Sequence, residues 1–146
     1  MIHSPDVRIL AVDFQPWAKI LADIRMEVFV AEQGVPEALE MDDRDGACRH
    51  FLATVGEAFV GTVRLDVAQE GKIGRLAVRR EWRQQGIGSQ LMMAAQETAK
   101  GLGLSRVWCH AQTQALPFYW RLGYQAEGEE FVEAGISHYH LSLQLS

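Results

Sequence analysis

The sequence predicts a mixed α/β fold: a single domain, residues 1–146, with a central, mostly antiparallel sheet of about six to seven strands flanked by about four helices. Three observations lead there. Strand-like and helix-like segments follow one another as β-α-(α)-β-β-β-α-β-α-β-β, and a meander that gives way to strand–helix alternation implies a mixed sheet covered by helices. The 146 residues suit one domain with a real core and leave little room for a second. Apolar residues make up 48% and charged residues 23%, with four Trp, six Phe and three Tyr, which is not the composition of a disordered chain.

Taken in order, residues 7–12 read as a short strand, and Asp13 stands where a helix N-cap would, with Pro16 in the first turn. Trp17, Ile20, Leu21, Ile24 and Val28 then fall at helical spacing, with Lys19, Asp23 and Glu27 on the other side. Gly34 and Pro36 break that pattern. Residues 31–49 read as an ordered loop with a short helical turn, and the acidic run 37–45 is expected chiefly as a solvated surface. Residues 50–55 and 58–66 are strand-like around a Gly56-Glu57 hairpin turn, and Gln69-Glu70-Gly71 leads into a third strand over 72–78. A helix follows Gly88 through Leu91, Met92, Ala95 and Ala99 until Gly101 or Gly103 ends it. Residues 105–111 form another strand and 115–122 a short helix closed by Gly123. From Tyr124 the chain is β again, and Tyr139, Leu141, Leu143 and Leu145 alternate along the last strand.

Charge narrows the function classes. Fourteen Lys and Arg against 19 Asp and Glu give a net charge of −5, which argues against nucleic acid as a partner, since phosphate contacts need a basic face. No apolar run approaches the length of about 18 residues that suggests a membrane span, and the N-terminus lacks a signal-peptide pattern. Cys48 and Cys109 fit neither a disulfide framework nor a paired metal motif. The expectation is a soluble, reduced, cytoplasmic protein without a membrane partner, and exposed sheet edges make a homodimer an option.

The chemistry is concentrated in residues 72–89. Arg83-Gln84-Gln85-Gly86-Ile87-Gly88 joins a strand to a helix, and its alternate glycines remove side chains where the helix exposes unpaired N–H groups. A phosphate can approach that backbone closely at the positive end of the helix dipole. Arg79, Arg80 and Arg83 add a local cationic rim against only Glu81 nearby. Competing phosphate motifs fit badly: a dinucleotide fingerprint would need Gly at Leu91, and a P-loop would need Gly-Lys-Ser/Thr where Gly88-Ser89-Gln90 stands.

A second segment, Ala111 to Tyr124, places Phe118-Tyr119 near the start of a short helix that ends at Gly123. Together the two segments resemble the GNAT superfamily of acyl-CoA-dependent N-acetyltransferases. The first is similar to the family's Arg/Gln-x-x-Gly-x-Gly/Ala motif, with Leu76-Ala77-Val78 ahead of it. The second is similar to its Asn-x-x-Ala-x-x-Phe-Tyr-x-x-x-Gly-Phe/Tyr pattern, with Gln112 in place of the common Asn. Residues 28–36, then Glu40, Asp42, Asp45 and His50, and finally Glu133-Ala-Gly-Ile-Ser-His138 resemble one small, largely uncharacterised bacterial branch.

That resemblance implies a sheet splayed in its middle and acetyl-CoA as the acyl donor, with no metal. It implies that Leu76, Ala77 and Val78 contact the pantetheine arm, with Leu76 N–H as oxyanion donor, and that Arg83, Gln84, Gln85, Gly86, Ile87, Gly88 and Ser89 hold the pyrophosphate. Gln112 and Tyr119 complete the cofactor site, with Tyr119 as general acid. Phe29, Glu32, Gln33 and His138 fall toward the acceptor, a small-molecule or peptide primary amine. Glu32 is the first candidate for the base, ahead of Glu129 or Glu130. The histidines His138 and His140, with His110 or His50, could in principle bind a metal, but no supporting motif is present. His110 reads instead as a satisfied buried histidine, and Cys109 as a small core residue. Two functions remain: direct acetyl transfer to the amine in a ternary complex, or a non-catalytic acyl-CoA-binding or sensing module. A cationic acceptor would suit the acidic run 37–45 and an anionic one Arg25, Arg64 and His138, and the sequence leaves both open.

Overall fold

A computed structural model describes residues 6–35 and 42–146. Strand β1 (Val7–Val12) pairs antiparallel with β2 (Arg49–Val55), β2 with β3 (Ala58–Asp66), and β3 with β4 (Lys72–Val78). Strand β5 (Arg106–Gln112) lies parallel beside β4, and β7 (Ile136–Gln144) bridges β5 and β6 (Gln125–Glu133) through antiparallel ladders. The seven-stranded order is β1-β2-β3-β4-β5-β7-β6. Helix α1 (Phe14–Arg25) precedes β2, α2 (Ile87–Gly101) joins β4 to β5, and α3 (Leu116–Arg121) joins β5 to β6.

Alternation along β2 shows how the sheet is covered on both faces. Phe51 and Ala53 join the cluster of Leu91, Met92, Ala95 and Ala99 from α2, while Leu52 between them joins Leu21 and Ile24 from α1. All of these are buried. At about 1.5–3 kcal/mol for each large apolar side chain, the two stripes supply much of what holds the helices to the sheet.

The helices differ from expectation in number and shape. Among the described residues there are three α-helices against the expected four or so, and the described residues just ahead of β2 make a 3-10 turn, Asp45–Ala47, pinned by ion pairs described below. Regular helix starts at Pro16, since Gln15 is extended (φ −98°, ψ 136°). After Arg25 the helix continues as a wider π-type turn, Met26–Glu32, which carries Glu27 and Glu32 toward the loop after β4. No helix among the described residues is long and apolar enough to cross a membrane.

The sheet opens between β4 and β5, where a single residue pair, Lys72↔Trp108, is in register. Trp108 N–H donates to Gly71 O at 3.1 Å. Gly71 permits this approach: at φ 87° a Cβ would stand 2.9 Å from Arg106 O. From that pinned end the strands part, so the rest of β4 has no ladder on its β5 side. On its other side, Arg75 and Leu76 together face the one residue Val63 of β3, a β-bulge with Arg75 at φ 56°.

Candidate active site

The gap between β4 and β5 opens into a cavity of about 830 Å³. At one end lies the turn from β4 into α2. Gln84 (φ 62°) and Gly86 (φ 81°) both take the left-handed conformation, which a non-glycine residue adopts at Gly86 only with strain. The first helical bond runs from Gln90 N–H to Gly86 O at 3.1 Å, so the N–H groups of the turn ahead of it have no acceptor within the helix. Gly86, Ile87, Gly88 and Ser89 all line the cavity, and so do Gln84 and Arg83. Of the proposed donor-site residues, two fall elsewhere: Gln85 is exposed, and Ala77 is packed under α1 with Leu52. Leu76, Val78, Gln112 and Tyr119 line the same cavity.

The arginine rim is not the free cationic patch that the sequence suggests. Glu32 accepts two hydrogen bonds from Arg83, at 2.9 and 2.8 Å, and lies 3.5 Å from Arg80. Arg83 also donates from Nε to Val78 O at 2.8 Å, and Arg79 pairs with Glu27 at 3.3 Å. The π-type turn thus brings two carboxylates that lie about 50 residues away in sequence onto the rim. The hydrogen bonds from Arg83 hold the Glu32 carboxyl below its ordinary range. A carboxylate held so strongly in its charged form is a weak proton acceptor.

Tyr119 lines the cavity, 8% exposed, with its ring edge-on to Phe118 and Tyr124. Burial pushes its phenol well above the ordinary tyrosine range, so it stays protonated at neutral pH. Cys109 lies on the opposite face of β5 from the cavity, and burial raises its thiol to about 12. It is a core residue.

The far end is assembled from β5, β6 and β7. Trp108, His110 and Gln112 alternate on the face of β5 away from buried Val107, Cys109 and Ala111. In register across β7, His140 stands opposite His110 and His138 opposite Gln112. Glu133 reaches over them, with Oε2 3.4 Å from His110 Nδ1 and 3.8 Å from His138 Nε2. The His110 contact holds the Glu133 carboxyl below its usual range. His110, expected as a satisfied core histidine, therefore lines the cavity, as do Glu133 and His138. The signal in the sequence was the polar and aromatic side of β5, at alternate positions of an otherwise apolar central strand. Phe29 and Gln33 complete this end, with Gln112 Nε2 donating to Gln33 Oε1 at 2.7 Å. Of the alternative bases, Glu130 bonds Ser137 and Tyr139 at the exposed edge, and Glu129 is exposed.

The described residues just ahead of β2 enter a buried ion network. Asp45 Oδ1 accepts from Arg25 at 2.8 Å and from Arg64 at 2.9 Å, and Asp42 accepts from Arg64 at 2.7 Å and Arg75 at 3.1 Å. Arg44 chelates Asp66 at 2.9 and 2.8 Å. The expectation of a solvated acidic loop fails for Asp42 and Asp45, because two arginines from the framework need counter-charges. Residues 36–41, which hold the remainder of that loop including Glu37 and Glu40, lie outside the described residues. The same pairing commits Arg25 and Arg64 to Asp45 and Asp42, so they do not stand ready for an anionic acceptor.

Comparison with known proteins agrees with this geometry. The model of the acetyltransferase (GNAT) domain family matches residues 13–145. This chain belongs to the GNAT acetyltransferase family. It is 39% identical over 117 residues to the uncharacterized N-acetyltransferase YjcF of Bacillus subtilis, covering 79% of this chain and 84% of that one. A crystal structure of an acyl-CoA N-acyltransferase from Pseudomonas aeruginosa superposes with a TM-score of 0.83 at 30% identity, covering 94% of this chain and 99% of that one. A Bacillus subtilis acetyltransferase in complex with CoA shares the fold at a TM-score of 0.73 and 21% identity, covering 97% of this chain and 100% of that one.

Proposed function

We propose that this GNAT protein transfers an acetyl group from acetyl-CoA to a primary amine by direct attack, with both substrates bound at once in the one cavity. The observation that carries the reading is continuity: the glycine turn, the unpaired edge of β4, Tyr119 and the polar end of β5 and β7 all line the same 830 Å³ space. The donor-site residues fit a CoA thioester. The turn N–H groups at Ile87, Gly88 and Ser89 bind the pyrophosphate at the helix N-terminus. Arg83 keeps that turn in place through Val78 O and Glu32 rather than by reaching for the phosphates. The free edge of β4 receives the extended pantetheine arm as an added strand, with Val78 beside it.

When bound, acetyl-CoA supplies an activated acyl group and a thiol leaving group. The bulge at Arg75-Leu76 takes Leu76 out of the β3 ladder, so its N–H serves the oxyanion that develops as the amine attacks. Tyr119 then gives its proton to the departing sulfur. Burial makes the phenol a weaker acid, but a thiolate confined in the same dry space is also a stronger base, so the transfer remains matched.

The test is acetyl-CoA turnover across a panel of amines: a polyamine, an amino sugar, an amino-acid amide and a dipeptide. Rate that saturates with one of them, and falls about 10²- to 10³-fold in Tyr119→Phe while acetyl-CoA affinity holds, is the expected outcome. Tight acetyl-CoA binding with no turnover of any amine would contradict it and leave a sensing module.

A further inference from the structure

We propose that His138 Nε2 and the Glu133 carboxylate together hold the ammonium of the acceptor, and that His138 is the base that removes its proton. This assignment rests on the acetyl-transfer reading above and names the acceptor end of the same site.

The tautomer of His138 follows from one contact. Its Nδ1 lies 2.6 Å from Ile136 O, and a carbonyl oxygen only accepts, so Nδ1 carries a hydrogen. In the neutral ring the lone pair is then on Nε2, and Nε2 faces Glu133 Oε2 at 3.8 Å. Two acceptors confront one another with no hydrogen between them. A group with several N–H donors satisfies both, and a protonated primary amine is such a group. The ring cannot turn away easily: it is 8% exposed and lies nearly parallel to Phe131 at 5.9 Å. Glu133 is steadied from the other side by His110 Nδ1 at 3.4 Å, and His110 itself packs between Phe131, Trp108 and His140.

Glu133 supplies the negative charge at the pair. The titratable groups facing His138 are Glu133 from β6, His110 from β5 and, along β7, His140, which burial keeps toward its neutral form. Lys72 of β4 also contributes to the field at Glu133. Arg25 and Arg64, the other cations considered for the acceptor, are committed to Asp45 and Asp42.

The proton ledger closes. His138 Nε2 takes one proton from R–NH3+, leaving R–NH2 and an imidazolium beside the Glu133 carboxylate. The nitrogen lone pair forms the N–C bond to the thioester carbonyl, and the C–S bond breaks with its electron pair on sulfur. Tyr119 protonates that sulfur. The second nitrogen-bound proton returns to Tyr119, through solvent, as the amide forms. His138 then passes its proton by way of half-exposed Glu133 to bulk water. The sum is acetyl-CoA plus R–NH3+ giving the acetamide, CoA–SH and one H+.

The experiment combines the amine panel with spectra of 15N-histidine-labelled protein. His138→Gln is expected to lower kcat about 10²- to 10³-fold, with acetyl-CoA affinity unchanged as evidence of folding. Glu133→Gln, at a half-exposed position, is expected to raise the amine KM about tenfold with a smaller loss of kcat. The His138 ring is expected as the Nδ1–H tautomer at neutral pH, its Nε2 resonance moving when the best amine is added. An active wild type whose His138→Gln variant keeps kcat within about threefold, or an Nε2–H ring at His138, overturns this assignment alone. A wild type that acetylates no amine overturns the transferase reading and this assignment with it.

Discussion

The two ends of the cavity are built by opposite means. The donor end is a contiguous piece of chain, Leu76 to Ser89, whose chemistry is mainly backbone: a bulge, a free strand edge and a helix start shaped by Gly86 at φ 81°. The proposed acceptor end is made of side chains from three strands, His110, Glu133 and His138, brought together by the β5–β7 register and the reach of Glu133. Backbone recognition tolerates side-chain variation and suits a fixed donor. A side-chain cradle changes with any one residue and suits an acceptor that differs between family members.

This contrast can be broken in several places. The largest effect is expected from Arg25→Ala. Arg25 is 1% exposed and pairs with Asp45, so its removal leaves that buried carboxylate with Arg64 alone and should cost about 2–3 kcal/mol in urea unfolding. A loss below about 1 kcal/mol would show that the fold does not depend on the network. Next is Gly86→Val, which places a β-branched residue at φ 81° and should weaken acetyl-CoA binding about tenfold by calorimetry, with the amine KM nearly unchanged. An equal change at both ends would mean that they are not independent.

Acid should loosen the framework in a milder way. Hydrogen bonds from Arg64 and Arg44 hold the Asp42 and Asp66 carboxyls below their ordinary range, and burial holds His50 below its own. In each case the unfolded chain binds protons at a pH where the folded one does not. Stability is therefore complete above about pH 6.5, begins to fall as His50 protonates in the unfolded chain, and falls further below about pH 4 as the carboxylates do. Thermal melts from pH 8 to pH 3 should show that descent, and a Tm that rises on acidification would contradict it. The smallest effect is expected from alkylation. With the Cys109 thiol raised to about 12 and the Cys48 thiol to about 11, iodoacetamide at pH 7 should leave acetyl-CoA affinity and turnover untouched, and rapid labelling of Cys109 with loss of either would overturn its place in the core.

Legibility in the sequence follows the same division. Strand and helix periodicity, the Arg83 to Gly88 turn and the Phe118-Tyr119 segment are local patterns, and they sufficed for the sheet, its helices and the family. The position of His138 was also within reach, through the segment 133–138. Glu32 pairs with Arg83, 51 residues away, and nothing local announces an ion pair that spans such a distance. The pairing of Asp42 and Asp45 with buried arginines was hidden for the same reason. His110 could have been found: it alternates with Trp108 and Gln112 on a strand whose other face is wholly apolar, and a polar stripe on a central strand signals a cavity.

The most direct measurement is a titration of 15N-labelled protein with acetyl-CoA, following backbone amide resonances. The largest shifts are expected at Ile87, Gly88, Ser89 and Leu76, with smaller ones at Tyr119 and none in β1. Shifts that miss the α2 N-terminus and Leu76, or equal shifts produced there by ATP or NAD, would contradict a CoA thioester held between β4 and β5.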